Sequence, residues 1–193
     1  PDVLAAEVRR TAAMGAHAVT FSENPSKLGH PSFHSDSWDP FWQACSDEQV
    51  VVCLHIGSSS QLIVTAPDAP IDCLITLSPI NIVWSPIFRK FPDLKVALSE
   101  GGIGWIPYLL ERVDYSYGRH RAWTGQDFGD RLPSEVFNEH VLTCFIDDKF
   151  GVASREYLNL DHVMWECDYP HSDSTWPFSP EKLAVHLDGV SDE

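Results

Sequence analysis

Five acidic or histidine residues stand where five apolar segments of the sequence pass into polar loops. They are Glu23, His55, Glu100, Asp147 and Asp168. Carboxylate and imidazole groups bind divalent metal ions, which lower the pKa of a bound water to about 7. Without a metal, the same groups serve as general acids and bases. The residue types therefore indicate metal-dependent or acid–base chemistry, and spacing alone does not decide between the two.

The elements that must position these residues alternate between strand-like and helix-like patterns. Strands are predicted at 17–23, 50–55, 94–100, 140–147 and 161–168, and helices at 2–14, 39–48, 80–90, around 106–118, near 153–158 and from Ser179 onward. The segment between 118 and 140 is predicted to be a polar loop. This alternation indicates βα units and a parallel sheet. Since the carboxyl ends of parallel strands form the face where ligands bind, we expect the five residues to converge there.

The composition limits the class of partner. The 193 residues carry a formal net charge of -15 and are enough for a single domain. Nucleic acid and anionic membranes require a basic face, so we expect neither as a partner and predict a small-molecule substrate. Assembly into a homo-oligomer stays open. No apolar run approaches the ~20 residues that span a membrane.

The five cysteines lack the spacing of a metal-binding motif. They are Cys45, Cys53, Cys73, Cys144 and Cys167. We expect reduced thiols in a cytoplasmic protein. Motifs of zincins, P-loop proteins, Rossmann folds and α/β-hydrolases are also missing from the sequence. In "SEGGIG" (99–104) the glycines are predicted to let the backbone turn sharply.

Three segments together resemble successive signatures of the amidohydrolase-related family. They are "VVVCLHIGSS" (50–59), "FPDLKVALSEGGIGWIPYLLERVD" (91–114) and "HVMWECDYPHSDSTWP" (162–177). This is the branch of the amidohydrolase superfamily that includes aminocarboxymuconate-semialdehyde decarboxylase. The resemblance implies an α/β fold of the (β/α)8 TIM-barrel type with one divalent metal, zinc first, with iron or manganese as alternatives.

The resemblance also implies roles for particular residues. His55 takes the place of the metal ligand that ends the fifth barrel strand, and Asp168 the place of the eighth-strand residue that contacts both metal and water. Glu100 stands where the family more usually has His, so it is expected to act as a base or a further ligand. Two further roles are predicted from position alone. His171, three residues after Asp168 on the same rim, is expected to act as a catalytic proton relay or substrate contact, or else to cap the following turn. Glu166, two residues before Asp168 in the strand, is expected to make a supporting hydrogen bond.

The same resemblance implies an incomplete barrel. The five strands match about the fourth to the eighth, so residues 1–193 are interpreted as a single partial TIM-barrel domain without the N-terminal strands. The family's HxH ligand pair is then expected upstream of Pro1, because His30 and His34 have the wrong spacing. Substrate contacts are predicted for Glu23, His34 and Trp176, whereas Asp147 is expected to make structural hydrogen bonds.

Three functions follow as hypotheses. The first is a metal-dependent hydrolase that uses activated water to cleave an amide-like or ester-like bond of a small organic molecule. The second is a metal-dependent non-oxidative decarboxylase of an aromatic or unsaturated carboxylic acid, in which Asp168 or His171 protonates the carbanion. The third is an inactive truncated fragment whose metal site is incomplete.

Overall fold

Five parallel strands form one sheet in a computed structural model that describes residues 1–59 and 74–191. The strands are Ala18–Ser22 (β1), Val51–His55 (β2), Val96–Ser99 (β3), Val141–Phe145 (β4) and Val163–Trp165 (β5). Their order in the sheet is their order in the sequence, and every neighbouring pair is parallel. Consecutive parallel strands with helical connections are the arrangement of a (β/α)8 barrel, so the predicted incomplete TIM-type barrel is confirmed.

Eight α-helices connect or flank these strands in the described part of the chain. They are Asp2–Ala12 (α1), Asp39–Asp47 (α2), Leu74–Trp84 (α3), Ile87–Lys90 (α4), Ile106–Thr124 (α5), Pro133–His140 (α6), Lys149–Ala153 (α7) and Ser179–His186 (α8). Short 3-10 turns occur at Pro25–Leu28, Asp36–Trp38, Arg155–Tyr157 and Leu160–His162.

The core lies between one face of the sheet and the helices. Buried residues of β2 and β3, such as Val52, Leu54 and Val96, join a cluster with Trp42 of α2 and Phe88 of α4. Each large apolar side chain that leaves water in this way contributes about 1.5–3 kcal/mol. The intervening residues of β2, including His55, point to the opposite and only half-buried face.

One helix lies where the sequence predicts a polar loop. Proline at the first position and an acidic first turn begin α6, and the Glu135 carboxylate accepts the N–H of Leu132 at 2.6 Å. Val136 and Phe137 supply its buried face. Because only two of its residues are strongly apolar, the helical periodicity is weak, although the proline followed by an acidic residue is a start signal.

Smaller differences concern element ends. The helix predicted at 80–90 is divided into α3 and α4, and the one predicted near 153–158 is the pair formed by α7 and the turn Arg155–Tyr157. The four described cysteines are free thiols, as expected, while Cys73 lies outside the described residues. None of the helices in residues 1–59 and 74–191 has the length and apolar character needed to cross a membrane.

Candidate active site at the carboxyl ends of the strands

The register of β2 and β3 brings His55 and Glu100 together. His55 lies opposite Ser99, so the residue after Ser99 lies beside the imidazole. His55 Nε2 is 2.8 Å from Glu100 Oε1, and His55 Nδ1 is 2.7 Å from the carbonyl oxygen of Ile56. Both ring nitrogens thus face oxygen atoms. A carbonyl only accepts, so Nδ1 carries a proton, and the contact between Nε2 and Glu100 requires a second proton or another cation.

The backbone at Glu100 and Asp168 is left-handed. Their φ angles are 62° and 56°, and among the described non-glycine residues only Gln49 shares this region. Such a conformation costs an L-residue roughly 1–2 kcal/mol.

Glu166 links the ends of β3 and β5, because its Oε1 accepts the backbone N–H of Glu100 at 2.7 Å. The supporting hydrogen bond expected of Glu166 is therefore confirmed.

The pKa of Glu100 depends on both of its titratable neighbours, His55 and Asp168. Burial and then a hydrogen bond to Asp168 raise the pKa of the Glu100 carboxyl, while the nearby His55 opposes this shift. Burial alone would lower the pKa of His55, but the Ile56 carbonyl and the Glu100 carboxylate outweigh it and raise the pKa above its ordinary value. Glu100 therefore lies between an imidazole and a second carboxyl group, where a proton or a metal cation is favourable.

His171 contacts Asp168 from the solvent side. Its Nδ1 is 2.8 Å from Asp168 Oδ2, and its backbone N–H donates to the Asp168 carbonyl at 2.8 Å. The His171 side chain is 63% exposed, against 14% for Asp168. The residue closes the turn after β5, and its imidazole also lies against the candidate catalytic carboxylate. Both roles considered for it are geometrically compatible.

Glu23 is buried and serves the loop that follows His55. Its carboxylate accepts from the hydroxyl of Ser58 and, at 2.5 Å and 3.2 Å, from the hydroxyl and N–H of Ser59. Burial raises the pKa of Glu23, but the hydrogen bonds from Ser58 and Ser59 together lower it by more, so the net shift is downward. Glu23 holds the end of β1 to the loop after β2.

His34 and Trp176, the other two predicted substrate residues, contact residues other than His55, Glu100 and Asp168. His34 Nε2 is 3.0 Å from Asn81 Oδ1 of α3. Trp176 packs edge-on against Tyr169, with ring centroids 5.5 Å apart, and both rings are exposed. Their roles in substrate binding stay predictions.

Asp148 is a residue that the sequence analysis missed. Its Oδ2 accepts the backbone N–H groups of Ile103 and Gly104, and its Oδ1 accepts that of Gly151, each at 2.7 Å. A Cβ at Gly104 would lie 3.0 Å from Asp148 Oδ1. One glycine of "SEGGIG" is thus needed for close approach rather than for a turn. An Asp just before α7 is the sequence signal for this N-cap.

The family is assigned from a match that covers the whole chain. A model described as amidohydrolase matches residues 1–193. The chain belongs to the amidohydrolase family. No curated protein sequence matches it.

Solved structures give the fold of this amidohydrolase-family chain. An amidohydrolase from Mycobacterium avium subsp. paratuberculosis is 21% identical with a TM-score of 0.78, over 97% of this chain and 50% of its own. The 5-carboxyvanillate decarboxylase from Sphingomonas paucimobilis is 20% identical with a TM-score of 0.71, over 98% and 57%.

A third similar structure carries ligands. The 5-carboxyvanillate decarboxylase from Novosphingobium aromaticivorans, with bound manganese and 3-methoxy-4-hydroxy-5-nitrobenzoic acid, is 18% identical with a TM-score of 0.73, over 100% and 57%. At these identities the likeness establishes the fold alone. The chain spans about half the length of the solved structures that it matches.

The donor groups of this amidohydrolase-family chain suit part of a metal site. Imidazole nitrogen with carboxylate oxygen is a ligand set for zinc, manganese or iron. The hydrogen bond from His55 Nδ1 to Ile56 leaves Nε2 as the metal-facing nitrogen. Within residues 1–59 and 74–191, however, no three His, Cys, Asp or Glu side chains form a group that could hold a metal ion. The residues fit a metal as an incomplete ligand set.

Proposed function

We propose that this chain contributes one part of the active centre of a metal-dependent hydrolase, which cleaves an amide-like or ester-like bond of a small organic substrate. His55 and Asp168 are the proposed ligands, and Glu100 is a base or a further ligand. The 2.8 Å contact between His55 and Glu100, side chains from two neighbouring strand ends, carries the proposal. Asp168, at the end of a third strand, contributes to the upward pKa shifts of both groups.

The residues divide the work by position. A bound divalent metal supplies an activated water and polarises the substrate. His55 is oriented for binding through Nε2, because the Ile56 carbonyl holds the opposite ring nitrogen. Asp168 accepts a proton beside the reacting atoms, and His171, hydrogen-bonded to it and largely exposed, exchanges that proton with solvent. Glu100 lies beside both proposed ligands and can accept a proton or bind directly.

Decarboxylation is the second candidate. The similar solved structures include two 5-carboxyvanillate decarboxylases, one with bound manganese, which favours this reaction and supports manganese among the candidate metals. In that reaction a bound metal would hold the carboxylate of the substrate, and Asp168 or His171 would deliver a proton to the carbon that loses carbon dioxide. Release of carbon dioxide without net addition of water would exclude the hydrolase.

The third candidate is a chain that has the fold but no turnover. We consider it because residues 1–59 and 74–191 supply an incomplete ligand set and the similar structures are about twice as long. We propose that the missing ligands come from preceding strands of a longer protein. Turnover that appears only in a longer chain containing an HxH pair supports this proposal, and a longer chain without such a pair supports the inactive form.

Metal binding by this chain is the direct test. Mn²⁺ broadens the NMR signals of nearby amides even when its affinity is weak. We expect broadening centred on His55, Glu100 and Asp168, with at least tenfold weaker binding in both His55→Asn and Asp168→Asn. The control is His120→Asn, near the C-terminal end of α5, which should leave Mn²⁺ binding unchanged. A helix that follows a strand returns to the opposite, amino end of the sheet, away from the proposed site. Broadening spread evenly over the acidic surface, or unchanged in His55→Asn, rules the assignment out.

A further inference from the structure

A cavity of about 470 Å³ adjoins Glu100 on the same rim. Its wall consists of the backbone after β3 and β4 and of four acidic residues, Glu100, Asp147, Asp148 and Asp173. The cavity is therefore rich in hydrogen-bond acceptors. These acidic residues are not equivalent, because their carboxylate oxygens differ in the hydrogen-bond donors that they already contact.

Asp147 is held from behind by a buried histidine. His186 Nε2 is 2.7 Å from Asp147 Oδ1, and His186 Nδ1 is 2.7 Å from the Lys182 carbonyl oxygen. The His186 side chain is only 3% exposed, whereas that of Asp147 is 52% exposed. The Lys182 carbonyl only accepts, so Nδ1 donates to it, and the two contacts together fix the orientation of the ring. Asp147 thus has one oxygen anchored in the protein while the residue stays accessible.

The second oxygen of Asp147 has no hydrogen-bond partner among residues 1–59 and 74–191. Asp148 differs, because three backbone N–H groups occupy its two oxygens. Asp173 is exposed. Among Asp147, Asp148 and Asp173, Asp147 is therefore the carboxylate that combines a fixed orientation with a free acceptor. Glu100, held by His55, is already assigned to metal or proton chemistry.

We propose that Asp147, positioned by His186, determines specificity by accepting a hydrogen bond from a donor group of the substrate, an ammonium or a hydroxyl. A substrate carboxylate at this place is excluded, because it brings acceptors to acceptors and negative charge to negative charge. The inference rests on the proposed function, since it takes the cavity beside Glu100 as the place of the substrate. It adds to the structural hydrogen bond that the sequence predicts for Asp147, which the contact with His186 confirms.

Three probes with the same ring test the inference on the metal-free chain at pH 7. They are benzylamine in its ammonium form, benzyl alcohol and benzoate, titrated while the amide signals of Gly102 and Asp147 are followed by NMR. We expect benzylammonium to bind at least tenfold more tightly than benzoate, with benzyl alcohol between them. Equal affinities for the three probes overturn the inference, and this comparison requires no variant.

Two matched variants separate a directed hydrogen bond from general charge. Asp147→Asn is expected to weaken benzylammonium binding at least fivefold, and Asp173→Asn, in the same cavity, by less than twofold. Equal losses mean that net charge alone attracts the probe, which overturns the role of Asp147. Mn²⁺ broadening without discrimination among the probes refutes this inference only, whereas discrimination without localised Mn²⁺ binding refutes the proposed function only.

Discussion

Removing the Asp148 carboxylate should loosen the loop that follows Glu100. Asp148 is partly buried and receives backbone N–H groups from two separate segments, Ile103 and Gly104 before α5 and Gly151 in α7. One side chain therefore ties the β3 loop to the helix after β4. Two substitutions, to Asn and to Ala, remove this connection in steps.

The magnitude follows from counting hydrogen bonds. A hydrogen bond to a charged group contributes about 1.5–3 kcal/mol. Asn keeps one acceptor oxygen, so in its better orientation it retains two of the three bonds and sets an NH2 group against the third N–H. We therefore expect Asp148→Asn to lower the free energy of unfolding by about 2 kcal/mol and Asp148→Ala by about 5 kcal/mol, near the lower end of the range for three lost bonds.

Urea unfolding followed by circular dichroism measures both values. The control is Asp127→Asn, because Asp127 is exposed and accepts a single N–H, that of Gly129, at 2.8 Å. The control should cost below about 0.5 kcal/mol. If Asp148→Asn costs no more than Asp127→Asn, the carboxylate does not hold the two segments together and the reasoning fails.

Two further predictions concern the buried parts of the fold. Burial lowers the pKa of His140, although its Nδ1 donates to the Leu94 carbonyl at 2.9 Å, so the unfolded chain binds a proton more readily than the folded one. The contribution of neutral His140 to the free energy of unfolding should be complete above pH ~6.5 and be lost as the pH falls through the pKa of the folded state. The urea midpoint should therefore depend less on pH in His140→Gln than in the unsubstituted chain. An unchanged pH dependence contradicts this. Gly151→Ala should destabilise the chain, because a Cβ there collides with Ile103, whereas Gly118→Ala in α5 meets open space and should stabilise it by about 0.5–1 kcal/mol in the same assay. Similar effects of the two alanines would refute this packing argument.

The strands and the first contacts of the site could be predicted from the sequence for a physical reason. Apolar runs of strand length, separated by helical patterns, leave few arrangements other than consecutive parallel strands. In such a sheet, residues that end neighbouring strands must meet. The contact between His55 and Glu100 is the direct result, because His55 ends β2 and Glu100 directly follows the end of the neighbouring β3.

The remaining contacts depend on loop paths, which local patterns do not encode. Glu23 lies at a strand end like His55, yet its carboxylate turns to Ser58 and Ser59 instead of joining the metal-binding candidates. His186 reaches Asp147 across 39 positions of sequence. Whether such a strand-end residue faces the site, a loop or a buried partner is decided by packing after the sheet has formed.

The left-handed backbone at Glu100 and Asp168 places stability and chemistry in opposition. Glycine adopts these φ angles without the steric penalty that an L-side chain incurs. Selection for a stable fold alone would favour glycine at the ends of β3 and β5, as already occurs at Gly102 in the same loop. The presence of two acids at these positions is the outcome expected where a protein gives up part of its thermal tolerance to keep reactive groups in place. Consensus design or selection for heat resistance would therefore be expected to erode this rim first.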